Sequence, residues 1–237
     1  MNEPQSSQAV QLSKVTFTWP GKNAFQMEIP DFSVAKGESV MLLGESGSGK
    51  STLLSLICGV ITPDNGSVNI DGTDLASLSS GARDRFRADN IGVIFQQFNL
   101  LSYATPLENV LLALQFAPER RRRITNARAE TLSLTSALGL PDALVRQSHA
   151  SGLSVGQQQR VAVARALIGS PSLIIADEPT SSLDAGAQVS FLDLLFEQVK
   201  AADSTLLMVS HDDRLGDRFD HLVDLKDIAS TGREEAA

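Results

Sequence analysis

The chain has 237 residues, 42% of them hydrophobic and 20% charged, with 20 Lys and Arg against 28 Asp and Glu for a formal net charge of −8. That is enough chain for a self-sustaining core, and its composition excludes a mainly disordered protein. The acidic balance argues against a protein whose main partner is a nucleic acid. A single cysteine, Cys58, excludes an intramolecular disulfide framework and a multi-cysteine zinc site; it lies in the apolar run 53–60 and reads as core in a reducing compartment.

The residues Val15-Thr16-Phe17-Thr18-Trp19 read as a strand stopped by Pro20-Gly21. A second strand, Phe25-Gln26-Met27-Glu28-Ile29, alternates apolar with polar and is expected to end at Pro30, giving a half-exposed antiparallel sheet. Residues 38–43 form a short buried strand that runs into a glycine-rich turn and then a helical pattern over 51–58. Asp64-Asn65-Gly66 predicts a turn before a strand over 68–72. From about 105 to 168 the pattern is helical. Thr125 or Asn126 can cap a helix with Ala129, Leu132 and Leu138 on its apolar face and Gly139 as its stop. Another helix follows Ser154, with Val161, Ala164 and Ile168 on one face and Gly169-Ser170-Pro171 behind it. The runs Leu173-Ile174-Ile175-Ala176 and Leu206-Leu207-Met208-Val209 are continuous, as in parallel strands buried on both faces, and the helix 185–202 between them makes a βαβ unit. The basic run Arg120-Arg121-Arg122-Arg123 reads as a solvated loop between helices, and the polar tail 230–237 as frayed. No run of about 18 apolar residues occurs, so no segment is expected to span a bilayer. The first seven residues lack a basic n-region and an apolar h-region, so the chain is expected to stay in the cytosol and meet a membrane only through a partner.

Chemistry concentrates in a few motifs. Gly44-Glu45-Ser46-Gly47-Ser48-Gly49-Lys50-Ser51 fits the phosphate-loop pattern at every fixed position, after a strand and before a helix. Its glycines let backbone N–H groups turn inward, the helix start adds the positive end of its dipole, Lys50 supplies a full charge, and Ser51 offers a hydroxyl to Mg²⁺. Asp177-Glu178 closes a buried strand, where adjacent acids serve either as a turn signal or as metal-holding and water-polarising carboxylates. Leu153-Ser154-Val155-Gly156-Gln157 opens a helix, so Ser154 and the amides around Gly156 make a second anion-binding helix start. One nucleotide does not easily need both from one chain, which points to two chains facing head to tail. The residues alone leave Trp19 open between a core anchor and an exposed platform, and leave His211 open between a loop hydrogen bond and a site group.

In kind and in order these motifs resemble those of the ATP-binding-cassette ATPases over nearly the whole chain: the loop 44–52, Phe95-Gln96, the signature 153–157, Asp177-Glu178, Ser182-Leu183-Asp184, and Val209-Ser210-His211-Asp212. The resemblance implies an α/β fold: a P-loop NTPase (RecA-like) core with a mostly parallel sheet, an N-terminal antiparallel β subdomain and an inserted helical subdomain. It implies one nucleotide-binding domain over 1–237, with 1–96 and 158–237 as the ATP-binding core and 97–157 as the helical subdomain. Its cofactors would be ATP and Mg²⁺. Gly44, Glu45, Ser46, Gly47, Ser48, Gly49, Lys50, Ser51 and Thr52 would hold phosphates, and Trp19 would stack on adenine through its π face. Ser154, Gly156 and Gln157 would bind nucleotide from the opposite chain, with Asp184 at the dimer seam. Ser51, Gln96 and Asp177 would hold the metal, and Glu178, His211, Lys50 and Gln96 would serve catalysis. Val155 departs from the glycine most common at its place. Either its backbone is ordinary and the amide still donates, or the contact across the dimer is weakened; the first reading is favoured because Ser154, Gly156 and Gln157 are retained.

The family resemblance further implies a homodimer of nucleotide-binding chains around two ATP, driving a separate integral membrane permease from the cytoplasmic face of a bacterial inner membrane, with no nucleic acid. Arg85-Phe86-Arg87, the segment 91–96, Asn99-Leu100-Leu101, Glu108-Asn109-Val110, the segment 211–215 and Phe219-Asp220 resemble the lipoprotein-release and macrolide-export group. An amino-acid importer cassette shares much of this glutamine segment. A soluble ATPase of DNA or ribosomes would carry two cassettes or a long coiled coil, which the chain lacks. A regulatory, cell-division type of cassette would keep ATP and the membrane partner without moving cargo.

Overall fold

Alternating residues at the start of the chain and continuous apolar runs further on build two kinds of strand pairing. The computed structural model describes residues 8–21 and 24–233; the expected lack of a leader in residues 1–7 and the expected fraying of 234–237 lie outside them. In chain order the elements are β1 (Gln8–Thr18), β2 (Phe25–Ala35), β3 (Ser39–Leu43), α1 (Lys50–Ile57), β4 (Asn65–Ile70), β5 (Thr73–Asp74), α2 (Ser80–Asn90) and β6 (Ile91–Ile94). The helices α3 (Pro106–Phe116), α4 (Pro118–Arg122), α5 (Ala127–Ala137), α6 (Asp142–Gln147) and α7 (Val155–Leu167) follow. Then come β7 (Leu173–Asp177), α8 (Ala185–Ala201), β8 (Thr205–Ser210), β9 (His221–Asp224), α9 (Leu225–Ile228) and β10 (Ser230–Arg233). The chain divides into two compact units, Met1–Arg87 with Leu207–Ala237, and Ala88–Leu206.

In the first unit an antiparallel sheet of order β10-β2-β1-β4-β5 buries Val10, Leu12, Phe17, Met27 and Ile29. Its details correct three expectations. Strand β2 runs through Pro30: its ladder with β1 keeps one register from Ser13↔Asp31 to Val15↔Ile29. On its other side β2 pairs with β10 only over Phe25–Glu28, so the missing N–H of Pro30 leaves no ladder bond unmade. Asn65 and Gly66 belong to β4 and not to a turn. The β1–β4 register shifts between Ser13 and Thr16, and a Cβ on Gly66 (φ 83°) would lie 2.3 Å from the Lys14 carbonyl oxygen. A bulge in β1 at Lys14, which sits in the left-handed region at φ 52°, therefore accompanies Gly66 within the strand. Third, Ser230–Arg233 is a strand rather than frayed tail, because the outer edge of β2 offers it unpaired backbone groups. Strand β3 pairs in parallel with β9, from Val40↔His221 to Leu43↔Asp224.

In the second unit β6 and β7 pair in parallel, from Ile91↔Leu173 to Ile94↔Ala176. Gly92 brings β6 against α7: a Cβ there would lie 2.3 Å from the Ala166 carbonyl oxygen. Helix α7 buries Val161 and Ala164 fully, and Ile168 behind it, as expected. Helix α5 is capped by Asn126, whose side chain accepts from the Ala129 N–H at 3.1 Å, and it closes at Gly139 with φ 73°. Its inner face differs from the expected one: Ala129 is exposed, and Thr131 and Thr135 are buried with Leu138. Those threonines fit because their hydroxyls bond back to the Ala127 and Thr131 carbonyls, each at 2.8 Å.

The basic run is also not a solvated loop. Arg120 lies in α4 and is 3% exposed. Its Nε donates to the Ile168 carbonyl at 2.8 Å and its Nη2 to the Ala166 carbonyl at 2.7 Å, so it caps the C-terminal end of α7, where a cation complements the helix dipole. Asp89, also buried, accepts the Glu119 N–H at 2.8 Å and fixes the start of α4. Burial, and after it the charge of Arg123, pushes the Arg120 guanidinium down to about 10, so it stays charged at neutral pH. Arg120→Met should lower the free energy of unfolding by about 3 kcal/mol in a urea titration, since it strands buried carbonyls; Arg121→Ala should change it by less than about 0.5 kcal/mol.

Candidate functional site

The buried strand β3 ends at a loop that no side chain caps. Gly47 and Gly49 take φ 80° and 105°, and α1 begins behind Gly49 with no side-chain cap and no acid in its first turn. Glycine is required here by space as well as by conformation. A Cβ on Gly49 would lie 2.4 Å from Met27 Cε, and one on Gly44 would lie 2.7 Å from Ser48 Oγ. The first helical bond runs from the Leu53 N–H to the Gly49 carbonyl at 3.0 Å, so the amides before it point out of the helix end. Lys50 Nζ donates to the Gly44 and Glu45 carbonyls at 2.6 and 2.9 Å, which holds its charge across the loop. Ser48 Oγ is buried without a hydrogen-bond partner. These are features of a cradle for an anion.

Two neighbours support this loop. Lys226 of α9 donates to Glu45 Oε1 at 2.8 Å, and this bond holds the Glu45 carboxyl below its usual range. Trp19 is 41% exposed and so is no core anchor; its Nε1–H donates to Thr52 Oγ1 at 3.0 Å. His211, exposed, follows β8, and the adjacent Asp212 is kept below its usual range chiefly by hydrogen bonds from Arg214, at 2.7 and 2.6 Å.

In the second unit Gln96 is exposed just beyond β6, and its Nε2 donates to Ser181 Oγ at 3.4 Å. Phe98 and Asn99 are both left-handed, at φ 56° and 48°. Arg165 of α7 donates to their carbonyls at 2.5 and 2.6 Å, tying the glutamine segment to the signature helix. That helix starts with a reciprocal cap: the Gln157 N–H donates to Ser154 Oγ at 3.3 Å, and the Ser154 N–H to Gln157 Oε1 at 2.9 Å. Val155 is its first residue, exposed and without a positive φ. A Cβ on Gly156 would meet nothing of this chain within 4 Å. Asp177 ends β7 half-buried, and Glu178 takes φ 44°. Asp184 Oδ1 caps α8 by accepting the Ala187 N–H at 2.8 Å.

Sequence reasoning did not find the left-handed Glu178, the Arg165 clamp, the Lys226–Glu45 pair or the Trp19–Thr52 bond. Glu178 precedes Pro179, a place where extended backbone is the rule, so no local signal marks it.

A glycine nest between a buried strand and a helix, in a chain that also holds parallel strand pairs and an antiparallel sheet, is the α/β architecture of a P-loop NTPase. Residues 27–181 match the family model described as ABC transporter. The chain is 44% identical over 197 residues to the lipoprotein-releasing system ATP-binding protein LolD of Anaeromyxobacter dehalogenans, covering 83% of this chain and 81% of that protein. It is 38% identical over 219 residues to an uncharacterized ABC transporter ATP-binding protein of Mycobacterium tuberculosis, covering 92% and 86%. A dimeric ATP-binding cassette, MJ0796, in a post-hydrolysis state bound to ADP and Pi, is similar in structure with a TM-score of 0.77 and 32% identity over 96% of this chain and 100% of that one. The chain belongs to the ABC transporter ATP-binding family, whose cassettes hydrolyse ATP.

Arg165→Met should destabilise the chain by about 2 kcal/mol in denaturant unfolding, and adding Asn99→Gly should recover part of that loss because glycine takes the left-handed region without strain. Val155→Gly should change ATP turnover by less than about tenfold, since the Val155 backbone already has the conformation of a helix start.

Proposed function

We propose that this cassette binds Mg²⁺-ATP and closes as a head-to-tail homodimer that drives a separate integral membrane permease of the export or lipoprotein-release type. The observation that carries the nucleotide reading is the uncapped, glycine-led start of α1 with Lys50 held across its loop. An anion of several charges fits there, since amides, dipole and ammonium all offer positive potential at one end of one helix. The buried, unpartnered Ser48 Oγ fits a ligand seated on the loop backbone. Among the described residues no group of three or more His, Cys, Asp or Glu gathers as a metal site. Mg²⁺ takes few protein oxygens and would complete its shell with phosphate and water. Ser51, Asp177 and Gln96 are read as the residues that would hold it, and the bound ion would supply neutralisation of phosphate charge.

The chain's own residues do the rest. Lys50 places an ammonium on the outer phosphates. Glu178 accepts a proton from the attacking water at its carboxylate, aimed by a backbone held in a conformation that costs about 1 kcal/mol or more. His211 hydrogen-bonds the terminal phosphate, and Gln96 reports its presence to the helical subdomain, read as residues 97–157 within one nucleotide-binding domain. The second anion-binding start, Ser154 to Gln157, serves the nucleotide of the opposite chain. The open space at Gly156 supports this, because nothing in its own chain requires a glycine there. Asp184 sits at the seam between the chains.

The export reading is supported by the 44% identity to LolD over 83% of the chain. Among the described residues no helix is long and apolar enough to cross a membrane, and the permease supplies the membrane attachment at the cytoplasmic face. Glu178→Gln should bind ATP, elute as a dimer with Mg²⁺-ATP in size-exclusion chromatography with light scattering, and turn over at least about a hundredfold more slowly. Undiminished turnover would remove Glu178 from the mechanism. Tagged and trapped in its own cell, the same variant should retain a membrane protein with a large extracytoplasmic domain; ribosomal or DNA-bound proteins in its place would overturn the transport reading.

A further inference from the structure

Trp19 is the sole tryptophan of the chain, and its indole is fixed from two sides. The ring stands edge-on to Phe17, with centroids 5.1 Å apart and planes at 88°, and Nε1–H donates to Thr52 Oγ1 at 3.0 Å. An indole nitrogen can only donate, so the hydroxyl is the acceptor and keeps its own proton for another partner. Thr52 is 8% exposed and lies in the first turn of α1, ahead of the bond from Leu53 N–H to the Gly49 carbonyl. It therefore stands among the amides of the phosphate cradle.

We infer that the Thr52 hydroxyl is a relay: it accepts the indole N–H of Trp19 and donates its own proton to a phosphate oxygen of the bound nucleoside di- or triphosphate. One small group then orients the base platform and the phosphate cradle together. This rests on the proposed reading that Trp19 carries the base. The relay has two physical consequences. A hydroxyl that already accepts a hydrogen bond becomes a better donor, and a bond to a charged phosphate is roughly twice as strong as one between neutral groups. It also gives tryptophan a role that a bare aromatic face cannot fill: phenylalanine at position 19 would keep stacking and lose the donor. Thr52 is a positioning residue toward Trp19 and a ligand contact toward phosphate. Serine would preserve both roles, whereas valine keeps the shape and removes them.

The test titrates the full-length chain with Mg²⁺-ADP, following emission of the single tryptophan in the wild type, Thr52→Ser and Thr52→Val, and heat of binding in these and in Trp19→Phe. ADP should change the emission of the wild type and of Thr52→Ser alike. Thr52→Val should weaken ADP binding by about tenfold or more and shrink the emission change, and Trp19→Phe should weaken it by about threefold. In the double variant the two costs should be less than multiplicative, because both substitutions break one chain of bonds. Multiplicative costs, or a Thr52→Val chain that binds within twofold of wild type, would overturn the relay. Should Thr52→Val fail to fold by circular dichroism, Trp19→Phe decides: binding within twofold of wild type overturns the relay. If the wild type binds ADP by calorimetry with no change in emission, the reading of Trp19 as base platform fails first, independently of Thr52.

Discussion

Every α-helix begins with amides that its own backbone cannot satisfy, and the ways in which this chain disposes of them organise its chemistry. Helices α3, α5, α7 and α8 are closed by the side chains of Thr105, Asn126, Ser154 and Asp184. Helix α1 is led by a left-handed glycine with no side-chain cap. The difference is not one of helix quality: the eight residues of α1 bury Leu53, Leu54, Leu56 and Ile57, and this packing secures a helix too short to persist alone. A cap at Gly49 would add about 1 kcal/mol to stability and would occupy the donors that an anion needs. Stability is thus taken from the buried face of α1, and its open end is kept for a ligand.

A second constraint lies in backbone strain. Phe98, Asn99 and Glu178 occupy the left-handed region without being glycine, next to or within segments proposed above to hold water and metal. Each such residue needs surroundings that over-determine it. For Phe98 and Asn99 these are visible: Arg165 holds both carbonyls, and the Phe98 side chain is buried. Burial pushes the Arg165 guanidinium below its usual range, yet a guanidinium remains charged at neutral pH and can bind two carbonyls at once. A lysine at this position would offer a point charge without the fork.

How much was legible follows from the range of each signal. The strand runs 173–176 and 206–209, the cap at Asn126 and the stop at Gly139 were readable because their causes lie within a few residues. The phosphate loop and the cap at Ser154 were readable for the same reason. What escaped was set by distant partners. Pro30 looks like a strand end until β10 is seen to pair with β2 only as far as Glu28, and Gly66 looks like a turn until the Lys14 carbonyl is seen 2.3 Å from its missing Cβ. Arg120 looks solvated until the end of α7, more than forty residues later, is brought to it. Thr131 and Thr135 fail the apolar pattern because their hydroxyls find acceptors one turn back on their own helix, a satisfaction that hydropathy does not count.

Six of the motif side chains share one more property, whereas Lys50, Asp177 and Glu178 are half-buried and Thr52 is buried. Trp19, Ser51, Gln96, Ser154, Asp184 and His211 are all exposed, although β3, β7 and β8, which carry or precede several of the motifs, are mostly or wholly buried. Rigid, buried strands fix where the motifs leave the fold, and short exposed segments present the chemistry. A polar group that is to neutralise phosphate gains strength when water is later excluded from it, so chemistry assembled on exposed residues needs a cover from outside the chain. The proposed cover is the ligand together with a second copy, which the open space at Gly156 could admit. Burying the motifs permanently within one chain would strengthen the same electrostatics. It would also remove the opening on which the proposed coupling to a permease depends.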